Sequence, residues 1–374
     1  MSDPGRGLVR LTLTDFRNYP SLSWQPASRI SVLSGPNGSG KTNLLEAISL
    51  LVPGRGLRGA RIAELARRGD DAPGAWAVAG RFATPAGSVD IGTGTAPDGP
   101  ADRRVFRLDG IAPRGQADLV AHASAVWLTP QMDRLFQEGA AGRRRFLDRL
   151  VYALEPGHAR EVAAHESAMT QRNRLLAGGR ADPAWLAGLE DAMARHGVAA
   201  TAARAGLVAR LNATPPAGGF PQASMDLICP IADRLAVSPA LEVEDWLRRG
   251  LAEARVPDAA TGSASLGAHR ADMGLADAAT GLSAAQSSTG QQRALLIGAI
   301  LAHAALLTQA RGKAPLLLLD EAAVHLDAER RAALFAALAT STAQVFLTGT
   351  DADVFASLRG VAEWLRTGNG TLIA

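Results

Sequence analysis

Residues Gly35, Pro36, Asn37, Gly38, Ser39, Gly40, Lys41 and Thr42 run consecutively in the pattern G-x-x-x-x-G-K-[ST]. Glycines let successive backbone N–H groups turn toward one point, where they make a nest for phosphate oxygens. The lysine of such a loop reaches β- and γ-phosphates, and the hydroxyl after it is a ligand for Mg²⁺. Far along the chain, Leu316-Leu317-Leu318-Leu319 runs into Asp320-Glu321. A carboxylate at the end of a buried strand can hold Mg²⁺, and a second one beside it can take a proton from an attacking water. Between them, Ser287-Ser288-Thr289-Gly290-Gln291-Gln292-Arg293 precedes a long apolar stretch. Small residues at a helix start leave backbone N–H groups free for an anion. Taken singly, these could be a glycine turn, a core strand with an acidic end and a polar helix start. Their order along one chain favours phosphate chemistry.

Such groups must be positioned by strands and helices. Residues 7–16 alternate apolar and polar side chains, the period of a half-buried strand. Ile30-Ser31-Val32-Leu33-Ser34 is a second strand running into the glycine loop, and residues 43–51 have helical apolar spacing. Strand, loop and helix is the order a phosphate-binding loop requires. Residues 76–111 read as β-rich, and 133–213 as helical and alanine-rich, with breaks at Pro156-Gly157 and Gly178-Gly179. Another helix is expected over 243–254, and a small-residue loop over 259–288. A helix over 294–307, a strand over 315–320, a helix over 328–338 and a strand over 344–347 follow.

A length of 374 residues suits two domains, or one large domain with an insertion. Apolar residues at 47% and charged residues at 20% exclude a disordered chain, a collagen and a rod. No apolar run approaches ~18 residues; the stretch 294–307 is broken by Gly298 and His303. Residues 1–6 show no apolar leader core, and Cys229 is the only cysteine, so a cytoplasmic protein without an internal disulfide or membrane span is expected. The histidines lack metal-ligand spacing, and no Ser-His-Asp or Cys-His constellation stands out. Among 39 basic residues only Lys41 and Lys313 are lysine, so a lysine in the glycine loop stands out.

With Val324-His325-Leu326-Asp327 after the acidic pair, the motif order resembles the ATP-binding-cassette ATPases. Ser288-Thr289-Gly290-Gln291 is similar to their signature and Leu326-Asp327 to their D-loop. The resemblance narrows on Asp15-Phe16-Arg17-Asn18-Tyr19, Gly54-Arg55-Gly56-Leu57-Arg58, Arg144-Arg145-Phe146-Leu147-Asp148 and Gly267-Ala268-His269-Arg270-Ala271-Asp272. Together these resemble the RecF family of bacterial DNA replication and repair ATPases, from residue 10 to 351. That family is similar to the heads of SMC proteins without their coiled-coil arm.

The resemblance implies an α/β head of the ABC type with a mostly helical insertion. It places an ATP-binding lobe at 1–124 and 269–374 and the second lobe at 125–268. It implies ATP and Mg²⁺ as cofactors and an ATP-induced homodimer. The loop Gly35–Thr42 and Lys41 would hold the phosphates, Thr42 and Asp320 the metal, and Glu321 the water. Ser288, Gly290 and Asp327 would act across the dimer. It further implies binding to gapped or junction DNA, loading of RecA with RecO and RecR, and slow hydrolysis as a release switch. Ser287 stands where the signature usually has leucine. Gln131 stands where the family often has glutamate and is a Q-loop candidate. Thr348-Gly349-Thr350-Asp351 replaces a transporter's switch histidine, leaving Thr350 or Asp351 to sense the γ-phosphate.

Other residues keep two readings. Arg17 and Asn18, with Tyr19, fit the adenine side of a nucleotide or a surface hairpin. Arg143-Arg144-Arg145 fits DNA phosphates or a solvated helix face. Aromatic residues are 5% and do not interleave with the arginines, so duplex backbone suits the chain better than stacked single strands. Rival functions are an ATP-gated protein scaffold, a transporter ATPase subunit and a small-molecule P-loop kinase. The missing switch histidine and the long separation of Lys41 from Asp320 oppose the transporter.

Overall fold

The structure is a computed structural model that describes residues 7–69, 72, 74–84, 87–96, 102–179, 182–216, 218–368 and 370–373. Residues 1–6, read above for a leader, lie outside the described residues. The chain divides into two compact units: 1–133, 216–221 and 288–374, and 134–215 with 222–287.

The first unit begins with β1 (Leu8–Phe16), β2 (Tyr19–Trp24), β3 (Ile30–Ser34), α1 (Lys41–Leu50), β4 (Ala77–Thr84), β5 (Gly87–Thr95), β6 (Arg104–Leu108), α2 (Gln116–His122) and β7 (Ala125–Leu128). The second unit holds α3 (Ala140–Leu154), α4 (His158–Ala177), α5 (Pro183–Asn212), β8 (Ala223–Ile228), α6 (Pro230–Leu235), α7 (Ala240–Glu253), α8 (Arg255–Thr261) and β9 (Asp272–Asp277). The first unit resumes with α9 (Thr289–Arg311), β10 (Leu316–Leu319), α10 (Ala328–Thr340), β11 (Val345–Gly349), β12 (Ala362–Gly368) and β13 (Thr371–Ile373).

Two sheets build the first unit. One has the order β13-β12-β3-β11-β10-β7, parallel except for β13 at its edge. Strands β3, β7, β10 and β11 are buried along their whole length, which is why they read as short continuous apolar runs. Each of the leucines 316–319 contributes ~1.5–3 kcal/mol by leaving water. The other sheet is antiparallel, in the order β2-β1-β4-β5-β6. Its inner face packs on α1, and a side chain at Gly80 would strike Leu51 at 2.4 Å, so glycine lets strand and helix close together. Helix α9, capped by Gly312 at φ 66°, is long and apolar enough by length and composition to cross a membrane, but most of its residues are buried, and it packs on β7 of the parallel sheet.

The unit boundaries lie further along the chain than 124/125 and 268/269. Strand β7 pairs in parallel with β10 and so belongs to the first unit. Strand β9 pairs with β8 and so belongs to the second. The second pairing also corrects the loop expected over 259–288. Met273 and Leu275 alternate inward there, but the small residues around them hide the period.

Helices dominate the second unit, and α4 and α5 pack as its central pair. Asp182 caps α5 and Pro183 opens it, a favourable start for a helix of 30 residues. Arg172 is fully buried and donates to Glu190 at 3.0 Å, Asp258 at 2.7 Å and the Leu251 carbonyl at 2.6 Å. Removing one partner of such a buried ionic group costs more than the group contributes when complete.

Candidate nucleotide-binding site

The loop Gly35–Thr42 leaves β3 and enters α1, as its glycines require. Gly35, Gly38 and Gly40 have φ of 150°, 80° and 106°. A side chain at Gly35 would meet the Thr367 carbonyl at 2.7 Å, and one at Gly40 would meet Asn18 at 2.5 Å. The loop is also fastened from outside. Tyr19 donates its hydroxyl to the Gly40 carbonyl at 3.1 Å, and Asn18 donates to Ser39 O at 3.3 Å and accepts from Asn43 at 2.8 Å. Ser39 and Thr367 share a hydroxyl contact at 2.6 Å, and Thr367 also donates to Ser34 O at 3.3 Å.

Lys41 is 4% exposed and donates to the carbonyls of Gly35 at 2.7 Å and Pro36 at 2.9 Å. Burial pushes its pKa down, against the pull of Glu321 and Asp320. A buried ammonium with carbonyl partners inside a glycine cradle suits a phosphate anion.

The acidic strand converges on the loop. Asp320, 3% exposed, accepts from Thr42 at 3.0 Å and from Thr348 at 2.7 Å on the same oxygen. A hydroxyl and a carboxylate within hydrogen-bond reach form the hard-oxygen pair that Mg²⁺ prefers. Glu321 has φ 51°, an αL conformation that costs a non-glycine residue about 1–2 kcal/mol. Two contacts hold it. Its N–H donates to Thr348 Oγ1 at 2.9 Å, and its carbonyl accepts from Arg293 at 2.5 Å. Arg293 is 1% exposed and also pairs with Asp133, tying the start of α9 to the turn that carries Gln131.

Ser288 is the N-cap of α9. It accepts from Gln291 N at 3.4 Å, and the Gln291 side chain accepts from Ser288 N at 2.9 Å. Both residues are exposed. A side chain at Gly290 would meet the His325 carbonyl at 3.2 Å, so this glycine lets α9 approach the 324–327 turn. Asp327 caps α10 by accepting from Arg330 N at 2.8 Å. Gln131 and Thr350 are exposed.

Lys41, Thr42, Asp320 and Glu321 thus meet at one place, while Ser288 and Asp327 are exposed helix caps and Gly290 lies in the first turn of α9. Arg17 turns to α1, with bidentate bonds to Glu46 at 2.8 Å each and a third to Glu64 O at 2.7 Å. Arg143 is bidentate to Asp272 at 2.7 and 2.8 Å, and Arg144 donates to Ala271 O. Of that triplet only Arg145 is exposed. Sequence reasoning gave no role to Thr367, Asn43, Glu46 or Asp133, or to Arg293 beyond its place in the signature stretch. Thr348 appeared only as the neighbour of Thr350.

A mostly parallel sheet feeding a phosphate loop, with an acidic strand one strand away from the loop's strand and an antiparallel sheet in the same unit, defines a P-loop head of the ABC and SMC type. No protein-family model matches the chain. It is 47% identical over 370 residues to the DNA replication and repair protein RecF of Mesorhizobium japonicum, covering 98% of this chain and 97% of that one. The protein of the same name from Rhizobium etli is 44% identical over 367 residues, covering 97% of each. The chain belongs to the RecF family. Among solved structures, the recombination mediator protein RecF of the RecFOR pathway, in its ATP form, has a TM-score of 0.83 at 21% identity, covering 100% of this chain and 98% of that one. An Smc head domain from Pyrococcus furiosus gives 0.51 at 15% identity, covering 98% and 95%. Both likenesses concern the fold.

Proposed function

We propose that this chain is an ATP-dependent DNA-binding protein of gap repair and replication restart, with slow ATPase activity serving as its release switch. The observation that carries the ATPase reading is the convergence of Thr42 and Asp320 at 3.0 Å, with Glu321 next in the chain. The DNA reading is supported by likeness to RecF along nearly the whole length.

In this reading Lys41 and the amides of Gly35–Thr42 bind the β- and γ-phosphates. Arg17 and Asn18 frame the loop from the β1–β2 turn. Thr42 and Asp320 hold Mg²⁺, which neutralises phosphate charge when bound. Glu321 orients and deprotonates water, while Gln131 and Thr350 sit as γ-phosphate sensors. Ser288, with Gly290 and Asp327 beside it, meets the nucleotide of a second copy, so ATP makes the dimer. The unit of 1–133, 216–221 and 288–374 acts as the ATP-binding lobe, and that of 134–215 and 222–287 as the helical lobe. The dimer holds gapped or junction DNA in the cytoplasm and, with RecO and RecR, helps load RecA.

The test is fluorescence anisotropy of gapped duplex with Glu321→Gln, in ATP, in ADP and without nucleotide, over a salt series. Binding only in ATP, weakening with salt, is the expected result. Binding indifferent to nucleotide, or none, would instead indicate an ATP-gated protein scaffold.

A further inference from the structure

The antiparallel sheet turns one face to α1 and the other to solvent. On β4, Val78, Gly80 and Phe82 are buried, while Ala77, Ala79 and Arg81 are exposed. Cross-strand register carries this outer face along the sheet. Arg10 of β1 lies opposite Arg81, Arg81 opposite Asp90 of β5, and Gly92 of β5 opposite Arg107 of β6. Like charges placed directly opposite destabilise a strand pair. The Arg10–Arg81 pairing follows a register shift between Leu8 and Arg10, and such irregularities re-aim side chains.

The charges on this face are unevenly matched. Arg81 is bidentate to Asp90 at 2.8 and 2.7 Å. Arg10 and Arg107 are exposed and make no hydrogen bond or ion pair among the described residues, although Arg10 lies near enough to Asp90 to help hold its carboxyl down. Between them lies an open depression of about 270 Å³ with Ala79 and Gly92 among its lining residues. Neighbouring outward positions are Thr12 and Thr14 on β1, paired with Ser23 and Ser21 on β2.

This surface lacks the features of a protein partner's site, because such interfaces centre on aromatic or large apolar anchors. Here the outward residues are small, hydroxylated or arginine, apart from Val105 at the edge and Asp90, whose charge Arg81 engages. Arginine and hydroxyl donors suit phosphate oxygens. Arg10 and Arg107 are three strand spacings apart and offset by two residues along the strands, roughly 16 Å in all. One strand of duplex carries a phosphate about every 3.4 Å of its axis. These two arginines, neither held in a hydrogen bond, therefore match a polymeric backbone better than a single phosphate. We infer that the outer face of the β2-β1-β4-β5-β6 sheet is a docking surface for the phosphodiester backbone of duplex DNA, with Arg10 and Arg107 as its contacts and Gly92 as its floor. The inference rests on the DNA-binding reading above and adds the place of contact.

The full chain with a non-hydrolysable ATP analogue is titrated on duplex DNA over a salt series, as wild type, as Arg10→Ala/Arg107→Ala and as Gly92→Val. Gly92 lacks a positive φ, and a side chain there would meet Arg107 Cβ at an ordinary 3.8 Å, so the valine variant keeps the fold and every charge. The double variant is expected to flatten the slope of log affinity against log salt by about 2 and to bind at least about tenfold more weakly at low salt. The valine variant is expected to bind several-fold more weakly with unchanged affinity for ATP. If wild type binds duplex and both variants match it, this surface is the wrong one and the DNA reading stands. If wild type does not bind duplex in any nucleotide state, both readings fall. If polyglutamate binds in place of duplex, and the double variant loses it, the groove serves an acidic protein and the inference is overturned.

Discussion

Lys41 holds a buried ammonium against two backbone carbonyls, with Asp320 and Glu321 acting on it at longer range. Desolvation alone would favour the neutral amine, and an arriving phosphate supplies the missing negative charge. Replacing Lys41 by methionine keeps the stem and removes that charge. A hydrogen bond to a charged group is worth ~1.5–3 kcal/mol, so affinity for a fluorescent ATP analogue is expected to fall about ten- to hundredfold with the melting temperature nearly unchanged. Unchanged affinity would remove Lys41 from the site. This residue was legible because its turn chemistry is local: strand, glycines, lysine and helix are contiguous. Thr367 was not, since it reaches Ser39 and Ser34 only through the parallel pairing of β12 with β3. Arg17 was legible as a special position but not as the partner of Glu46, which lies a helix away.

At the scale of elements, His165 on α4 shows how packing becomes pH dependence. Its Nδ1–H donates to the Met193 carbonyl at 3.0 Å, and its Nε2 faces His269 Nδ1 at 3.4 Å. His269 donates its own Nε2–H to the Ala264 carbonyl at 3.0 Å. Burial holds His165 down to about 4, with His269, Arg204 and His196 adding repulsion against a raising bond to Met193. His269 is shifted in the same direction. Between pH 6.5 and 4 the unfolded chain binds a proton that folded His165 refuses. Stability from this group is therefore complete above 6.5 and falls as pH drops through that window. At pH 5 the loss is ~2 kcal/mol. Thermal melts from pH 7.5 to 5 should show the decline, and His165→Asn should flatten it; an equal decline in the variant would assign the effect elsewhere. Helices α4 and α5 were legible as one alanine-rich helical region because their breaks fall at glycine and proline. Strand β9 was not, because Met273 and Leu275 alone carry its period.

At the scale of the whole molecule, the ATP state is expected to need two copies if Ser288, an exposed helix cap, meets the nucleotide of a second copy as proposed. Ser288→Arg should abolish ATP-induced dimers in light scattering while each chain still binds ATP, and intact dimers would sink the sandwich arrangement. The order of motifs along the chain was legible, and so was the class of fold. The exchange of β7 and β9 between units was not, because which sheet a short strand joins depends on partners far away in sequence. One consequence concerns synthesis. Strand β3 lies between β11 and β12 and is bonded on both sides by them. The glycine loop, made well before β11 and β12, therefore lacks the full pair of flanking strands and Thr367 until translation passes residue 367. At roughly 5–20 residues per second that interval is about 15–70 s. A nascent chain in this interval carries every residue of the loop and no finished nucleotide pocket, so ATP cannot help its first unit fold until β12 has been made.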